Sequence, residues 1–198
     1  MTDRTAPTTH PVLPAIAARW SPRSYLEAPV AEAEVLSILE AGRWASSCFN
    51  DQPWHFLLAR KAQEPEAHAR LLACLSANNQ GWAHRAPVLL LGIARNAFGH
   101  NGNPNRHALY DLGQAAATMA VQAAALGLQL HQMAGFDADK AREAFAIPEG
   151  FTPAVAITLG KPGPAEALPE ALAQRETAPR ARKPMADFVF AGAWGSGI

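Results

Sequence analysis

A long segment with almost no charge constrains the fold of this chain more than any other feature. Over residues 107–126 the only formally charged side chain is Asp111, and Ala, Leu, Met and Val cover nearly every face. A helix that is apolar all round is a buried helix. Residues 115–117 and 123–125 are all Ala, so a neighbouring backbone can approach closely. Composition leaves two interpretations open, a central core helix within one subunit or a helix packed across a dimer interface, and Gly127 is expected to end the helix.

Shorter patterns supply the remaining elements. Residues 31–44 place apolar side chains at helical spacing with glutamates on the opposite face, which predicts an amphipathic helix, and residues 65–75 predict a second one. Apolar runs bounded by Pro or charged residues predict buried strands at residues 54–59, 87–94 and 153–159. Helices and strands are therefore expected in one fold.

The C-terminal part of the chain has a different composition. Residues 160–179 are rich in Pro, Ala and Glu with little periodicity, which predicts an extended segment lying over the surface. Phe188, Phe190 and Trp194 follow and have apolar bulk that needs a surface to cover. With 198 residues and 49% hydrophobic content, we expect one domain over residues 1–198 with a C-terminal extension over about 160–198.

Charge and missing motifs exclude several classes of protein. Lys+Arg and Asp+Glu number 17 each, so no global field gathers nucleic acid or anionic lipid. The sequence has no GxGxxG after a strand, no GxxxxGK[ST], no GxSxG and no HExxH. Cys48 and Cys74 form no CxxC, and no run suits a secretory signal or a membrane span. We therefore expect a cytoplasmic protein without a metal site, a nucleic-acid partner or a membrane partner.

Two basic motifs are candidate anion sites. Arg19, Ser21 and Arg23 place two guanidinium groups around a hydroxyl, which suits a phosphate, although a solvated helix end followed by a turn has the same composition. Arg180 and Arg182 alternate in an extended tail and point at one anion only if the chain bends between them. The alternative for this second pair is a solvated basic stretch.

Two polar loops are candidate ligand edges. Residues 46–54 join the first helix to the first strand and concentrate hydroxyl, amide and carboxyl groups; a helix cap followed by a turn explains them equally. Residues 78–82 set two asparagines and a glutamine beside Trp82, which suits either a bound heterocycle or a closed loop. Each loop taken alone fits both readings.

Taken together and in order, these segments resemble the nitroreductase family of flavoproteins over essentially the whole chain. The landmarks are the RxSxR of residues 19–23, SSCFNDQPWHF at 46–56, NNQGWA at 78–83, GLQLHQMAGFD at 127–137 and RARKP at 180–184. The resemblance implies an α+β fold in which a mainly antiparallel sheet is wrapped by helices. It also implies a homodimer in which each C-terminal tail extends onto the partner subunit and each FMN lies in a cleft built by both chains.

The resemblance further implies which residues contact FMN. Four residues would hold its phosphate and ribityl region: Arg19, Ser21, Arg180 and Arg182. Three positions would face the ring: Arg23 and Asn79 at the pyrimidine edge, and the backbone around Ala134 and Gly135 at N5. Four residues would approach from the other subunit: Ser47, Cys48, Asn50 and Gln52. No protein residue is assigned as a catalytic acid or base, because the flavin carries the chemistry.

The implied activity is FMN-dependent oxidation and reduction by a ping-pong mechanism. NADH or NADPH donates hydride, and a nitroaromatic, a quinone or a related small molecule accepts the electrons. Trp82 stands where some members carry a second cation, and Ala134 where some carry a carboxylate, which leaves the acceptor open. The alternatives are dehydrogenase or oxygen-dependent chemistry on the same fold, and a non-enzymatic FMN-binding dimer.

Overall fold

The computed structural model describes residues 3–197 and is built around one antiparallel sheet. Its four strands lie in the order β1-β2-β4-β3, so that β1 and β3 are the edges. The strands are β1 (Trp54–Arg60), β2 (Val88–Arg95), β3 (Gln129–Met133) and β4 (Phe151–Gly160). Three of them confirm the predicted strands, whereas β3 lies in a segment for which no strand was predicted.

Residues 3–197 also form seven α-helices, which lie on both faces of the sheet. They are α1 (Pro14–Ala18), α2 (Glu32–Arg43), α3 (Pro65–Cys74), α4 (Ala77–Ala83), α5 (Ala108–Ala125), α6 (Ala138–Ala144) and α7 (Glu170–Thr177). No helix in this part of the chain combines the length and the apolarity that crossing a membrane requires. The predicted α+β fold, with an antiparallel sheet wrapped by helices, is thereby confirmed.

Alternation along the central strand β2 divides the core in two. Leu89, Leu91 and Ile93 pack with α3, α4 and α6 on one face of the sheet. Val88 and Leu90 point the other way and pack with α2 and α5. Because successive side chains of a strand point to opposite faces, a strand covered by helices on both sides is apolar throughout, which is why β2 has no polar alternation.

Helix α5 buries one side within the chain and exposes the other. Its buried residues include Ala116, Met119 and Ala123, which pack against α2. The approach is close, because a Cβ at Gly42 of α2 would lie 2.7 Å from Met119 Cγ. The opposite side exposes large side chains, with Tyr110 at 69%. Helix α5 therefore satisfies the core interpretation and still leaves a face that a second chain can cover.

Two segments differ from the sequence-based predictions. Residues 170–177 form α7, although an extended segment was predicted there, because Leu172 and Ala173 pack against the core and Glu176 is buried. Residues 78–82 lie within α4 rather than in a loop. Beyond α7 the tail is largely exposed, with Phe188 at 61% and Trp194 at 92%.

Candidate functional site

Three arginines converge where the N-terminal segment meets the start of the tail. The guanidinium of Arg180 donates to the backbone oxygens of Ala17 at 2.9 Å and Arg19 at 2.7 Å, and also to that of Arg4. Arg4 in turn donates to the Ala178 oxygen at 2.9 Å. Arg180 therefore anchors the tail to the end of α1 and fixes the backbone of Arg19.

Arg182 joins these three arginines, and the four form an arginine cluster without an ion pair. None of Arg4, Arg19, Arg180 and Arg182 lies within ion-pair distance of a carboxylate within residues 3–197. Burial, followed by repulsion from Arg182, lowers the pKa of Arg19, and burial with repulsion from neighbouring arginines lowers that of Arg180. The Nε atom of Arg4 is buried without a partner. Such a cluster is stabilised by an anion that carries more than one charge.

The edge strand β3 positions the loop that carries the RxSxR motif. Gln129 accepts from the Trp20 N–H at 3.0 Å and donates to the Ala18 oxygen at 3.1 Å. Two residues along, on the same face, His131 Nδ1 donates to the Pro22 oxygen at 2.8 Å. Ser21 is the exposed member of this loop, and its Oγ lies 3.5 Å from Arg19 Nη1. The loop is therefore held by side chains rather than by a strand partner.

His131 is a site residue that was not predicted from the sequence. Its ring packs on Trp82 of α4 with the centroids 4.8 Å apart. Burial, with a smaller contribution from Arg23 and Arg19, lowers the pKa of His131 to about 4 even though the Pro22 bond opposes this. The ring is therefore neutral at pH 7. The signal available in the sequence was weak, because His131 stands between Leu130 and Gln132 in the mostly polar segment that forms β3.

Arg23 has a buried acidic partner. Its N–H donates to Glu176 Oε1 at 2.8 Å, the Ser24 N–H donates to the same oxygen at 3.0 Å, and Arg23 Nη1 lies 4.0 Å from Oε2. Glu176 is 4% exposed, whereas the side chain of Arg23 is 29% exposed. Glu176 was not predicted as a site residue, because one glutamate in a Pro/Ala/Glu-rich segment carries no local signal.

Helix α4 meets the loop after β3 through Asn79. Its Nδ2 donates to the Gly135 oxygen at 3.0 Å, and the Ser76 N–H donates to the same oxygen at 2.9 Å. A Cβ at Gly135 would lie 2.7 Å from Asn79 Nδ2, so a larger residue there would displace the Asn79 amide. Ala134 beside it is exposed, and the Gly135 N–H donates to no acceptor within residues 3–197. The RxSxR loop, residues 19–23, is called the arginine loop below. It is connected with residues 134–135 through His131, Trp82 and Asn79.

A second group of site candidates lies before β1. Cys48 N–H donates to the buried Asp111 of α5 at 3.1 Å, and Ser47 Oγ accepts from the Gln52 N–H at 3.0 Å. Phe49, Asn50 and Gln52 all have positive φ, at 54°, 54° and 49°. Non-glycine residues seldom adopt this conformation, and clusters of them mark strained segments.

Asp51 holds this strained loop. Its side chain, 4% exposed, accepts from the Gly99 N–H at 2.8 Å and from Arg95 Nη2 at 3.0 Å. Burial raises the pKa of Asp51, but the bonds from Gly99 and Arg95 outweigh it, and the pKa is lowered overall. Phe49 extends from the loop with 80% exposure and contacts the ring of Phe98 at 5.8 Å.

The two groups of candidates lie at opposite edges of the sheet. The loop at 47–52 leads into β1, whereas the arginine loop is bonded to β3. Three strand spacings, or about 14 Å, separate these edges. No hydrogen bond or ion pair links the two groups within the described residues, so one chain does not bring all the predicted site residues together.

This fold is also that of a solved oxidoreductase. A solved structure described as an oxidoreductase containing FMN aligns with a TM-score of 0.91 and 34% identity over 99% of both chains. The nitroreductase family model matches residues 16–161. The chain belongs to the nitroreductase family.

Two curated proteins are similar to this chain over most of their length. An uncharacterized 15.4 kDa protein from the ask 5′ region of Mycolicibacterium smegmatis is 33% identical over 71% of this chain and 97% of its own length. A Streptomyces coelicolor protein named putative NADH dehydrogenase/NAD(P)H nitroreductase is 28% identical over 71% of this chain and 80% of its own length.

Proposed function

We propose that the protein is an FMN-dependent oxidoreductase that uses NADH or NADPH to reduce nitroaromatics, quinones or related small acceptors. The observation that carries the proposal is the arginine cluster without a carboxylate partner, which suits a phosphate monoester. The similar structure described as containing FMN supports the identity of the cofactor. The name of the Streptomyces relative supports the nicotinamide donor.

The residues of the arginine cluster would serve the phosphate in two ways, by binding it and by positioning its ligands. Arg19 and Ser21 have side-chain donors at the open side of the loop, and the exposed Arg182 adds charge from the tail. Both terminal nitrogens of Arg180 donate to backbone oxygens, so we assign its charge to the phosphate and its hydrogen bonds to positioning Arg19. Charge-assisted donors of this kind bind phosphate strongly.

The flavin ring would lie between residues 19–23 and residues 134–135. Bound FMN supplies the redox chemistry, a two-electron exchange between NAD(P)H and the acceptor. Arg23 would lie at the pyrimidine edge of the ring, where its charge would favour the anionic reduced form. Asn79, which holds Gly135, would reach the same edge, and the Gly135 N–H would be available to the flavin N5. No side chain is needed as a catalytic acid.

A homodimer completes the cleft. The loop at 47–52 lies at the sheet edge opposite the arginine cluster, so we propose that Ser47, Cys48, Asn50 and Gln52 serve the flavin of the partner subunit. The exposed side of α5 and the tail aromatics supply apolar surface for the interface, and we propose that each tail crosses onto the partner. Residues 1–198 act as one domain in this arrangement. The free thiols of Cys48 and Cys74 suit the cytoplasm.

Steady-state turnover with NADPH or NADH and a nitroaromatic tests the function. One cleft serves both substrates in turn, so double-reciprocal plots at several acceptor concentrations should be parallel. Flavin binding without turnover would instead identify a non-enzymatic FMN-binding dimer. Products that form only under air would identify oxygen-dependent chemistry, and a stable flavin-loaded monomer in sedimentation would refute the shared cleft.

A further inference from the structure

Glu176 is a buried acid that the proposed function does not use. Oε1 accepts from the N–H groups of Arg23 and Ser24 at 2.8 and 3.0 Å, and Oε2 lies 4.0 Å from Arg23 Nη1. The side chain is 3% exposed. Burying a carboxylate is costly, and an amide oxygen in the same place would also accept from two backbone N–H groups. Hydrogen bonding alone therefore does not account for a charged residue at this position.

We propose that Glu176 is a positioning residue that fixes Arg23 and weakens its positive field, so that it sets the reduction potential of the bound flavin. This inference rests on the proposed function, in which Arg23 lies beside the pyrimidine edge of FMN. A negative charge near that edge disfavours the anionic reduced ring relative to the oxidised ring. Glu176 thereby lowers the reduction potential of the bound flavin, so that the reduced enzyme gives electrons more readily to an acceptor.

The surroundings of Arg23 leave few other charges to oppose it. His131, which packs near it, is neutral at pH 7 because its pKa is about 4. Burial raises the pKa of Tyr25, so its hydroxyl is neutral as well, and that hydroxyl lies 2.8 Å from Thr158 Oγ1. Arg19 adds positive charge. Glu176 is therefore the acid that pairs with Arg23 within residues 3–197.

The test is the midpoint potential of bound FMN in Glu176→Gln, followed by visible absorbance in a dye-equilibrated titration at pH 7. The amide keeps an oxygen for the two N–H donors and removes the charge. We expect reduced FMN to bind about tenfold more tightly relative to oxidised FMN, which is a rise of about 30 mV for a two-electron couple. Glu170→Gln, an exposed substitution on the same helix, is the matched control and should leave the potential unchanged.

Equal weakening of oxidised and reduced FMN, with an unchanged potential, would reveal a purely structural latch and overturn the inference. A fall in potential would overturn it too. If Glu176→Gln does not fold, Arg23→Gln tests the same pair from the other side: the potential should fall, and an unchanged value refutes the inference. A parent protein that takes up no FMN is a separate result, which refutes the proposed function before any variant is compared.

Discussion

Replacing Asp51 with Ala should release the strained loop before β1. The carboxylate satisfies the Gly99 N–H at 2.8 Å and Arg95 Nη2 at 3.0 Å while itself only 4% exposed. Arg95 pairs with no other acid within residues 3–197, and its buried Nε has no hydrogen-bond partner there. Loss of Asp51 therefore leaves a cation and a backbone donor unpaired.

Two further effects reduce the cost of this change. Breaking a fully buried ion pair costs about 3–5 kcal/mol, but the Arg95 side chain is 31% exposed and water replaces part of what is lost. The loop opens only in part, so the strain released at Phe49, Asn50 and Gln52 together is about 1 kcal/mol. The unpaired cation outweighs both effects, and we expect a net loss of about 2 kcal/mol in the free energy of unfolding.

Urea denaturation at pH 7 and fixed protein concentration measures this loss. Asp51→Asn is the control, because the amide retains one acceptor oxygen and should cost about half as much. FMN binding should weaken in the Ala variant as well, since the loop presents Asn50 and Gln52 to the partner's flavin. An unfolding free energy within about 0.5 kcal/mol of the parent would refute the assignment of Asp51 as the residue that holds the loop.

Three other changes probe the arginine side of the site. Arg19→Ala should weaken FMN binding about ten- to a hundredfold and leave riboflavin binding unchanged, because one charge-assisted bond is worth about 1.5–3 kcal/mol; equal affinity of the parent for both flavins in isothermal titration would contradict the phosphate role. His131→Asn keeps a donor for the Pro22 oxygen but removes a group whose folded pKa is about 4. The neutral His131 ring contributes stability that is fully present above about pH 6.5 and is lost towards pH 4. The free energy of unfolding of the parent relative to the variant should therefore fall by about 3 kcal/mol over that window in denaturant titrations. A difference that does not change with pH would contradict this role of His131. Gly135→Ala should displace Asn79 and cost about 1 kcal/mol, whereas Gly81→Ala, where a Cβ meets nothing within 4 Å, should be neutral or stabilising by thermal unfolding.

The predictability of each element depended on where its partners lie in the chain. Strand β2 and helix α5 were predicted because each is a continuous run of mostly apolar residues. Strand β3 was not predicted, because Gln129 and His131 interrupt its apolar pattern. Both side chains bind the loop at 18–22, whose distance in sequence hides the contact from any local pattern.

The site residues likewise differ in whether a local motif or a distant segment gives them their role. The RxSxR motif is compact, and its basic character was visible without the fold. Glu176 and Asp51 gain their roles from donors contributed by distant segments, namely the backbone at 23–24 and the Gly99 N–H. The left-handed backbone at Phe49 has no sequence signal either, since the usual glycine is missing there.

The absorbance spectrum of the purified protein, followed by identification of whatever denaturation releases, tests the central claim most directly. We expect a yellow dimer with flavin bands in the visible range that releases FMN rather than FAD. A colourless protein that takes up no added FMN would contradict the assignment of the arginine cluster to a flavin phosphate.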